Sequence, residues 1–120
     1  MLNHTLNCKV VLYVPSTVGT LKNQNRVQEE WIEKILEQFS DWFGGATAQK
    51  AEGAWKSESQ GLVREPVVLV YAFCDLKTLS AQEFAVRTLA QKLAQDMKQE
   101  CVSLEIGGCL YFEYPLAKAA

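Results

Sequence analysis

The chain has little of what metal sites and membrane spans require. It has one histidine, His4, and no Cys-x-x-Cys pair among its four cysteines, Cys8, Cys74, Cys101 and Cys109. Zinc sites use close-spaced ligand pairs, so we predict no metal. No apolar run approaches the ~20 residues that cross a bilayer, and the N-terminal segment lacks the charged-then-apolar order of a signal peptide. We expect a cytoplasmic protein without membrane contact, whose thiols are reduced and mostly buried.

The chain also lacks a strong charge of either sign. Its 12 Lys and Arg against 14 Asp and Glu give a formal net charge of -2, and its lysines are scattered among acids. Nucleic-acid binding favours a clustered basic surface, so the charge pattern argues against nucleic acid as a partner. No phosphate-binding or dinucleotide motif is present, and we predict no cofactor.

The length and composition predict one folded domain. The chain has 120 residues, of which 48% are hydrophobic and 22% charged. This length gives room for one core. We assign residues 1–120 to a single ferredoxin-like α/β domain, and expect its ends, 1–6 and 116–120, to be flexible.

Two segments carry the apolar spacing of amphipathic helices. In the first, Asn25 and Gln28 form a capping-box pattern, and Gly44-Gly45 is expected to end the helix. In the second, Ser80 is the predicted N-cap and Glu83 its partner. Both helices have one apolar face, so both should pack on a sheet.

Five segments are typical of strands: 8–14, 46–56, 66–74, 101–106 and 110–114. The order is β-α-β-β-α-β-β, whose first six elements match the split β-α-β arrangement. We therefore predict an α+β ferredoxin-like two-layer sandwich with two helices on one face of an antiparallel sheet, plus a C-terminal fifth strand. We expect the first and third strands to be parallel neighbours, which would keep Cys8 and Cys74 at opposite ends and bring Cys8 near Cys109.

Short motifs accompany these elements. They are Gly44-Gly45-Ala46, Gly53-x-Trp55, Arg64-Glu65-Pro66 and Leu110-Tyr111-Phe112-Glu113. Together they resemble small uncharacterised ferredoxin-like proteins of bacterial and phage genomes. The resemblance covers most of the chain and implies the fold; it implies no particular activity.

The best site candidates flank the hairpin between the second and third strands. Trp55 could stack a planar ligand or a partner's side chain, with Arg64 and Glu65 nearby. The structural alternative is that Trp55 covers the edge of the core and Arg64 pairs with Glu65 or Glu52.

A second candidate surface is the sheet face opposite the helices. Tyr71, Tyr111 and Tyr114, with Trp55, could line a cleft there. An uncovered apolar face usually marks an interface, so we expect a homo-oligomer, most simply a dimer, packed through this face or through the last strand. A protein partner or a small anionic ligand is also possible on this basis.

Two further candidates have simpler interpretations. His4 could act as a base, but no nucleophile is paired with it in the sequence. The loop 15–25 precedes a helix and could bind an anion, but it also serves as an ordinary connection.

Three functions follow from these observations. The favoured hypothesis is a non-enzymatic binding or interaction module that self-associates, because no catalytic constellation is assembled in the sequence. The alternative is a small enzyme or small-molecule-binding protein of the dimeric α/β-barrel type, with acid-base groups drawn from Glu65, Glu105, Tyr71 or His4 and an anionic substrate held by Arg64. The third is single-stranded nucleic-acid binding through sheet aromatics.

Overall fold

The computed structural model describes residues 5–116, which form two helices and five strands. The elements in chain order are β1 (Cys8–Pro15), α1 (Asn25–Phe43), β2 (Thr47–Ser57), β3 (Gly61–Cys74), α2 (Leu76–Asp96), β4 (Val102–Ile106) and β5 (Cys109–Glu113). None of the helices in this part of the chain is long and apolar enough to cross a membrane.

The strands form one sheet in the order β2-β3-β1-β4-β5, and all neighbouring strands are antiparallel. Both helices pack on the same face. The predicted α+β sandwich with ferredoxin-like topology and a fifth strand is confirmed.

The prediction that β1 and β3 are parallel is wrong. The helical crossover makes β1 and β2 parallel, and β3 returns from β2 through a hairpin and lies between them. A strand inserted in this way is antiparallel to both neighbours. One consequence is that Cys8 lies directly opposite Cys74, not at the other end of the sheet. Cys109 lies on β5, separated from β1 by β4.

The core is built from alternate residues of the central strands. Val10, Leu12 and Val14 of β1 are completely buried, and they pack in one cluster with Ile35 and Phe39 of α1. Burying one such side chain stabilises the fold by roughly 1.5–3 kcal/mol. The helical spacing of the apolar residues in α1 therefore determines which face of this helix meets the sheet.

The predicted N-caps are wrong at both helices. In α2 the cap is Asp75, whose side chain accepts a hydrogen bond from the backbone N–H of Thr78, so the helix begins before Ser80. In α1 no side chain caps the N-terminus, and Gln28 instead donates to the carbonyl of Val14 at 3.1 Å. This bond gives the buried Gln28 amide a partner on β1, so the side chain is not available for a local capping box.

The hairpin between β2 and β3 extends beyond the rest of the sheet. Pairing of β1 with β3 ends at Pro15 and Val67, whereas β2 and β3 remain paired to Ser57 and Gly61. Residues 52–66 therefore form a two-stranded ribbon without a third strand. Isolated two-stranded ribbons are marginally stable in water, so this one depends on its base in the sheet or on a further contact.

Candidate functional site

The helices cover one face of the sheet, and the other face is open. Because paired residues of antiparallel strands share a face, the register assigns Val11 of β1, Tyr71 of β3 and Glu105 of β4 to this open face. The face is largely apolar. Phe73, Leu110 and Phe112 are about half exposed on it, at 47%, 51% and 55%.

A cavity of about 390 Å³ lies on the open face where β1 and β3 meet the base of the projecting hairpin. This volume is within the range of small-molecule sites. Tyr13, Val67 and Leu69 contribute half-buried side chains from the two central strands. The complete lining is Tyr13, Pro15, Ala51, Glu52, Gly53, Glu65, Pro66, Val67, Leu69, Gln99, Cys101, Val102 and Ser103.

The charges at this cavity have one sign. Among the described residues that line it, Glu52 and Glu65 are acidic and none is basic. Glu52 is engaged by Arg64, with 3.1 Å between carboxylate and guanidinium. Glu65 makes no ion pair within residues 5–116. The site therefore favours a cationic ligand with an apolar body over an anionic one.

Neutral polar groups complete the cavity. Tyr13 offers an aromatic ring and a hydroxyl, and Ser103 and Cys101 are half-buried at its edge. The amide of Gln99 is held in place because its Nε2 donates to the carbonyl and hydroxyl oxygens of Thr17 at 3.0 and 3.1 Å. The cavity can thus hydrogen-bond a ligand, and its aromatic ring can contact a cation.

A wider cavity of about 720 Å³ lies on the helix side, but its lining is less suited to chemistry. Its lining contains both acidic and basic residues, and the indole N–H of Trp31 donates to Asp96. The ammonium of Lys34 lies 4.7 Å from the centre of the Trp31 ring. The Trp31–Asp96 bond joins α1 to α2 and the Lys34 contact lies within α1, so these groups serve helix packing and we place the candidate site in the smaller cavity on the sheet.

The structure separates the three hairpin candidates. Glu65 lines the cavity. Trp55 lies opposite Val63 toward the end of the hairpin and is 55% exposed. Arg64 is opposite Ala54 and pairs with Glu52, which is the structural alternative considered for it. Successive strand residues alternate in direction, so Arg64 and Glu65 point to opposite faces and do not act together on one ligand.

The two tyrosine candidates also lie apart. Tyr71 is on the open face but outside the 390 Å³ cavity. The ammonium of Lys9 lies 4.5 Å from the Tyr71 ring centre, and the Phe73 ring packs edge-on against Tyr71 with 6.1 Å between ring centres. Tyr111 is paired with Leu104, a core residue, and so points to the helix side, where Arg87 lies 4.4 Å from its ring centre. The predicted cleft shared by Tyr71 and Tyr111 is therefore wrong, because the two rings are on opposite faces.

The remaining candidates have no place in this cavity. His4 lies outside the described residues. The loop before α1 is tied down by its own bonds: the Ser16 hydroxyl donates to the Pro66 carbonyl at 2.8 Å, and the Gly19 N–H donates to the Met97 carbonyl at 2.8 Å. Within residues 5–116 no group of three or more His, Cys, Asp and Glu side chains could hold a metal ion.

Tyr13, Leu69 and Ser103 were not selected by sequence reasoning. They come from three different strands, and only the register of β1 with β3 and β4 brings them together. Alternation within each strand could have identified the open face, but no local motif marks a cavity formed across strands.

The comparisons with known proteins bear on the fold. No family model matches the sequence, and no match is found among curated proteins. Among solved structures, a phage SAM lyase in complex with S-methyl-5′-thioadenosine is similar, with 23% identity over 92% of this chain and 92% of that chain and a TM-score of 0.59. A phage SAM lyase in the apo state has 20% identity over 99% of this chain and 100% of that chain, also with a TM-score of 0.59. CutA from Synechococcus elongatus is more distant, with 11% identity over 71% of this chain and 67% of that chain and a TM-score of 0.47.

These findings correct one prediction and support part of another. The expectation of a non-enzymatic module is contradicted, because the lyase whose fold the chain shares is an enzyme. The resemblance to small phage and bacterial proteins is supported to the extent that this neighbour is a small phage protein.

Proposed function

We propose that the chain is a small enzyme that cleaves S-adenosylmethionine (SAM), and that SAM binds in the open-face cavity. Support comes from the fold, which matches a phage SAM lyase over almost the whole length of both chains. That lyase was solved with S-methyl-5′-thioadenosine bound. The observation in this chain that carries the proposal is the charge of the cavity, which is acidic at Glu65 and has no basic residue in its described lining.

The chemistry of SAM fits this lining. SAM carries two cationic groups, its sulfonium sulfur and its α-ammonium group, and the carboxylate of Glu65 can attract either one. The ring of Tyr13 offers a second favourable contact for a cation. Val67 and Leu69 supply an apolar surface for the adenosine, and the hydroxyl of Ser103 is available to its polar atoms.

The reaction removes the positive charge from the sulfur atom of SAM. S-Methyl-5′-thioadenosine is the thioether left when an oxygen of the substrate's own α-carboxylate attacks the γ-carbon of the aminocarboxypropyl group. The new C–O bond closes homoserine lactone as the C–S bond breaks, and the electrons of the broken bond stay on sulfur. An apolar surrounding disfavours the sulfonium cation relative to the thioether, because it solvates charge poorly. The role of Val67 and Leu69 in this scheme is to exclude water beside the sulfur, and the role of Glu65 is to hold the substrate in place.

The test is to incubate the purified chain with SAM and to measure S-methyl-5′-thioadenosine by liquid chromatography. Formation at a rate proportional to protein concentration is expected. Glu65→Gln keeps an acceptor oxygen but removes the negative charge, and should lower kcat/KM roughly tenfold, because hydrogen bonds to charged groups contribute about 1–1.5 kcal/mol more than neutral ones. Glu58→Gln, in the exposed turn of the same hairpin, is the matched control and should leave the rate unchanged. An inactive wild-type chain that also fails to bind S-methyl-5′-thioadenosine would contradict the proposal.

We propose in addition that the enzyme is a homo-oligomer in which a second copy covers the open face. The apolar residues of this face remain exposed in one chain, and the projecting hairpin adds Trp55 and Val63 to the same side. Such a surface is typical of interfaces. Sedimentation velocity across a hundredfold range of concentration should show an assembly larger than one chain. Phe112→Glu should shift it toward the monomer, whereas Glu37→Gln on the outer side of α1 should not.

A further inference from the structure

Cys8 and Cys74 are direct neighbours across two central strands. Cys8 is the first residue of β1, Cys74 is the last residue of β3, and the register places them opposite each other. Both side chains belong to the same core cluster, with 6% and 3% exposure. The two thiols therefore point to the same face of the sheet and meet at one end of the core.

The backbone hydrogen bonds of β1 show which kind of antiparallel pair Cys8 and Cys74 form. The N–H of Gly107 donates to the carbonyl of Lys9 at 3.0 Å, so the polar groups of Lys9 face β4 and those of Cys8, one residue earlier, face β3. Cys8 and Cys74 are thus a hydrogen-bonded antiparallel pair, for which the Cα atoms are about 5.5 Å apart. Disulfides bridge Cα atoms that are roughly 4.4–6.8 Å apart, so the Cα separation of this pair meets that requirement. The Cβ atoms of such a pair are about 5 Å apart, against roughly 3.5–4.5 Å in a disulfide, so the two strand ends must twist toward each other to close the bond.

We propose that Cys8 and Cys74 are a redox-sensitive staple, which closes to a disulfide when a small-molecule disulfide such as oxidised glutathione is in excess and opens again under reducing conditions. This inference is independent of the proposed activity on SAM. It concerns a pair of groups on the helix side of the sheet, away from the cavity on the open face.

The exchange proceeds in two steps that balance. The pKa of Cys74 is raised by burial and by the nearby Cys8 and Asp75, which disfavours its thiolate, so we assign the first attack to Cys8. The Cys8 thiolate forms a mixed disulfide with one glutathione and releases the other as a thiol. Cys74 then loses its proton and attacks the Cys8 sulfur, releasing the second glutathione. Two electrons and two protons pass from the protein thiols to glutathione.

Both residues lie where the structure can open locally. Residues 5–7, before Cys8, are exposed and have no regular secondary structure, and Asp75, after Cys74, is also exposed. Strand ends open at a small fraction of the free energy of global unfolding, so a reagent can reach a thiol that is buried on average. The other two cysteines are not paired in this way: Cys109 is opposite Ile106, and Cys101 precedes β4.

The bond would connect two residues that are distant in sequence. It would close a loop that runs from the start of β1 to the end of β3 and includes α1 and β2. A crosslink over a loop of this size restricts the unfolded chain, and for a chain of this length we expect the midpoint of thermal unfolding to rise by roughly 10 °C.

The experiment uses the full chain with Cys101→Ser and Cys109→Ser, so that only the proposed pair remains. After incubation of the folded protein with oxidised glutathione, the monomer mass should fall by two hydrogen atoms. Alkylation in denaturant should then find no free thiol, and a reductant should restore both. The midpoint of thermal unfolding should rise on oxidation and return on reduction.

Control variants distinguish a Cys8–Cys74 disulfide from the other possible products of oxidation. A further Cys8→Ala substitution should abolish the rise in the unfolding midpoint. If that variant does not fold, the double-serine chain alone still decides the question by its mass and alkylation. Two thiols that remain free after oxidation, a stable mixed disulfide with glutathione, or a bond between two chains would each overturn the proposal.

Discussion

Gly53 of β2 lies directly opposite Glu65 of β3, so the carboxylate-bearing residue of the cavity faces a position without a side chain. A Cβ atom at Gly53 would lie 3.8 Å from the Glu65 carbonyl oxygen, an ordinary contact. The space beside Glu65 is therefore kept open by the absence of a side chain, not by strain in the backbone.

Filling this space should impair ligand binding without unfolding the protein. Gly53→Val places a residue that favours strands at the edge of the cavity, where its methyl groups occupy room otherwise available to a ligand. We expect the affinity for S-methyl-5′-thioadenosine to fall at least roughly tenfold, because a single methylene in a pocket already changes binding by about 10- to 200-fold and valine adds three carbon atoms. Isothermal titration calorimetry measures this effect. Ala54→Val, one residue along the strand and on the opposite side, should bind as the wild type does, and equal losses in both variants would contradict a cavity at Gly53.

The fold could be predicted from the sequence because its main signals are local. The strand-like segment 66–74 and the apolar faces of the two helices each identify an element without reference to the rest of the chain. The cap at Gly44 was also predictable, because its left-handed φ of 89° is a conformation that glycine favours. Local signals, however, do not determine how strands are ordered and directed in a sheet.

The candidate site could be predicted only in part, for the same reason. Glu65 was found because it follows a conspicuous arginine beside a hairpin. Tyr13 was missed because its role depends on its position beside Leu69 of a different strand. Tyr111 was misplaced because the choice of face for β5 depends on its register with β4, which alternation alone leaves undetermined.

The turn between β4 and β5 should be sensitive to loss of glycine. Gly108 has a φ of 85°, and a methyl group added to it would meet no atom within 4 Å, so Gly108→Ala strains only the backbone. We expect a loss of about 1–2 kcal/mol in the free energy of unfolding. Gly45→Ala is the matched control, because Gly45 also has open space around it but no left-handed φ. Urea denaturation should show a lower midpoint for Gly108→Ala only; the same midpoint for both variants would argue against a strained turn.

The contact between α2 and β5 should depend on Arg87. Its guanidinium lies 3.4 Å from the carboxylate of Glu113, whose side chain is only 10% exposed, and also contacts the ring of Tyr111. Arg87→Ala would leave a largely buried carboxylate without its charged partner, and we expect a loss of about 1–3 kcal/mol in the free energy of unfolding.

The exposed ion pair of Arg26 with Glu30 provides the comparison for Arg87. Its side chains are 92% and 64% exposed, so water screens the interaction, and Arg26→Ala should cost less than about 0.5 kcal/mol. Urea denaturation of the two variants side by side measures the difference. Equal losses would mean that burial of Glu113 does not strengthen its interaction with Arg87.

The N-cap of α2 should make part of the stability depend on pH. The pKa of Asp75 is lowered from its usual 3.8, first by the hydrogen bond that its carboxylate accepts from the Thr78 N–H and also by nearby Lys77. A carboxylate with a lowered pKa in the folded state stabilises the fold above its unfolded pKa and loses this contribution as the pH falls through the folded value. Thermal unfolding of wild type and Asp75→Ala should therefore show a difference in midpoint at neutral pH that shrinks once the pH drops below 3.8. Ser80→Ala, at the position that the sequence suggested as the cap, is the control and should show no such pH-dependent difference. If the difference in midpoint between wild type and Asp75→Ala did not change with pH, the charge of the cap would contribute nothing to stability.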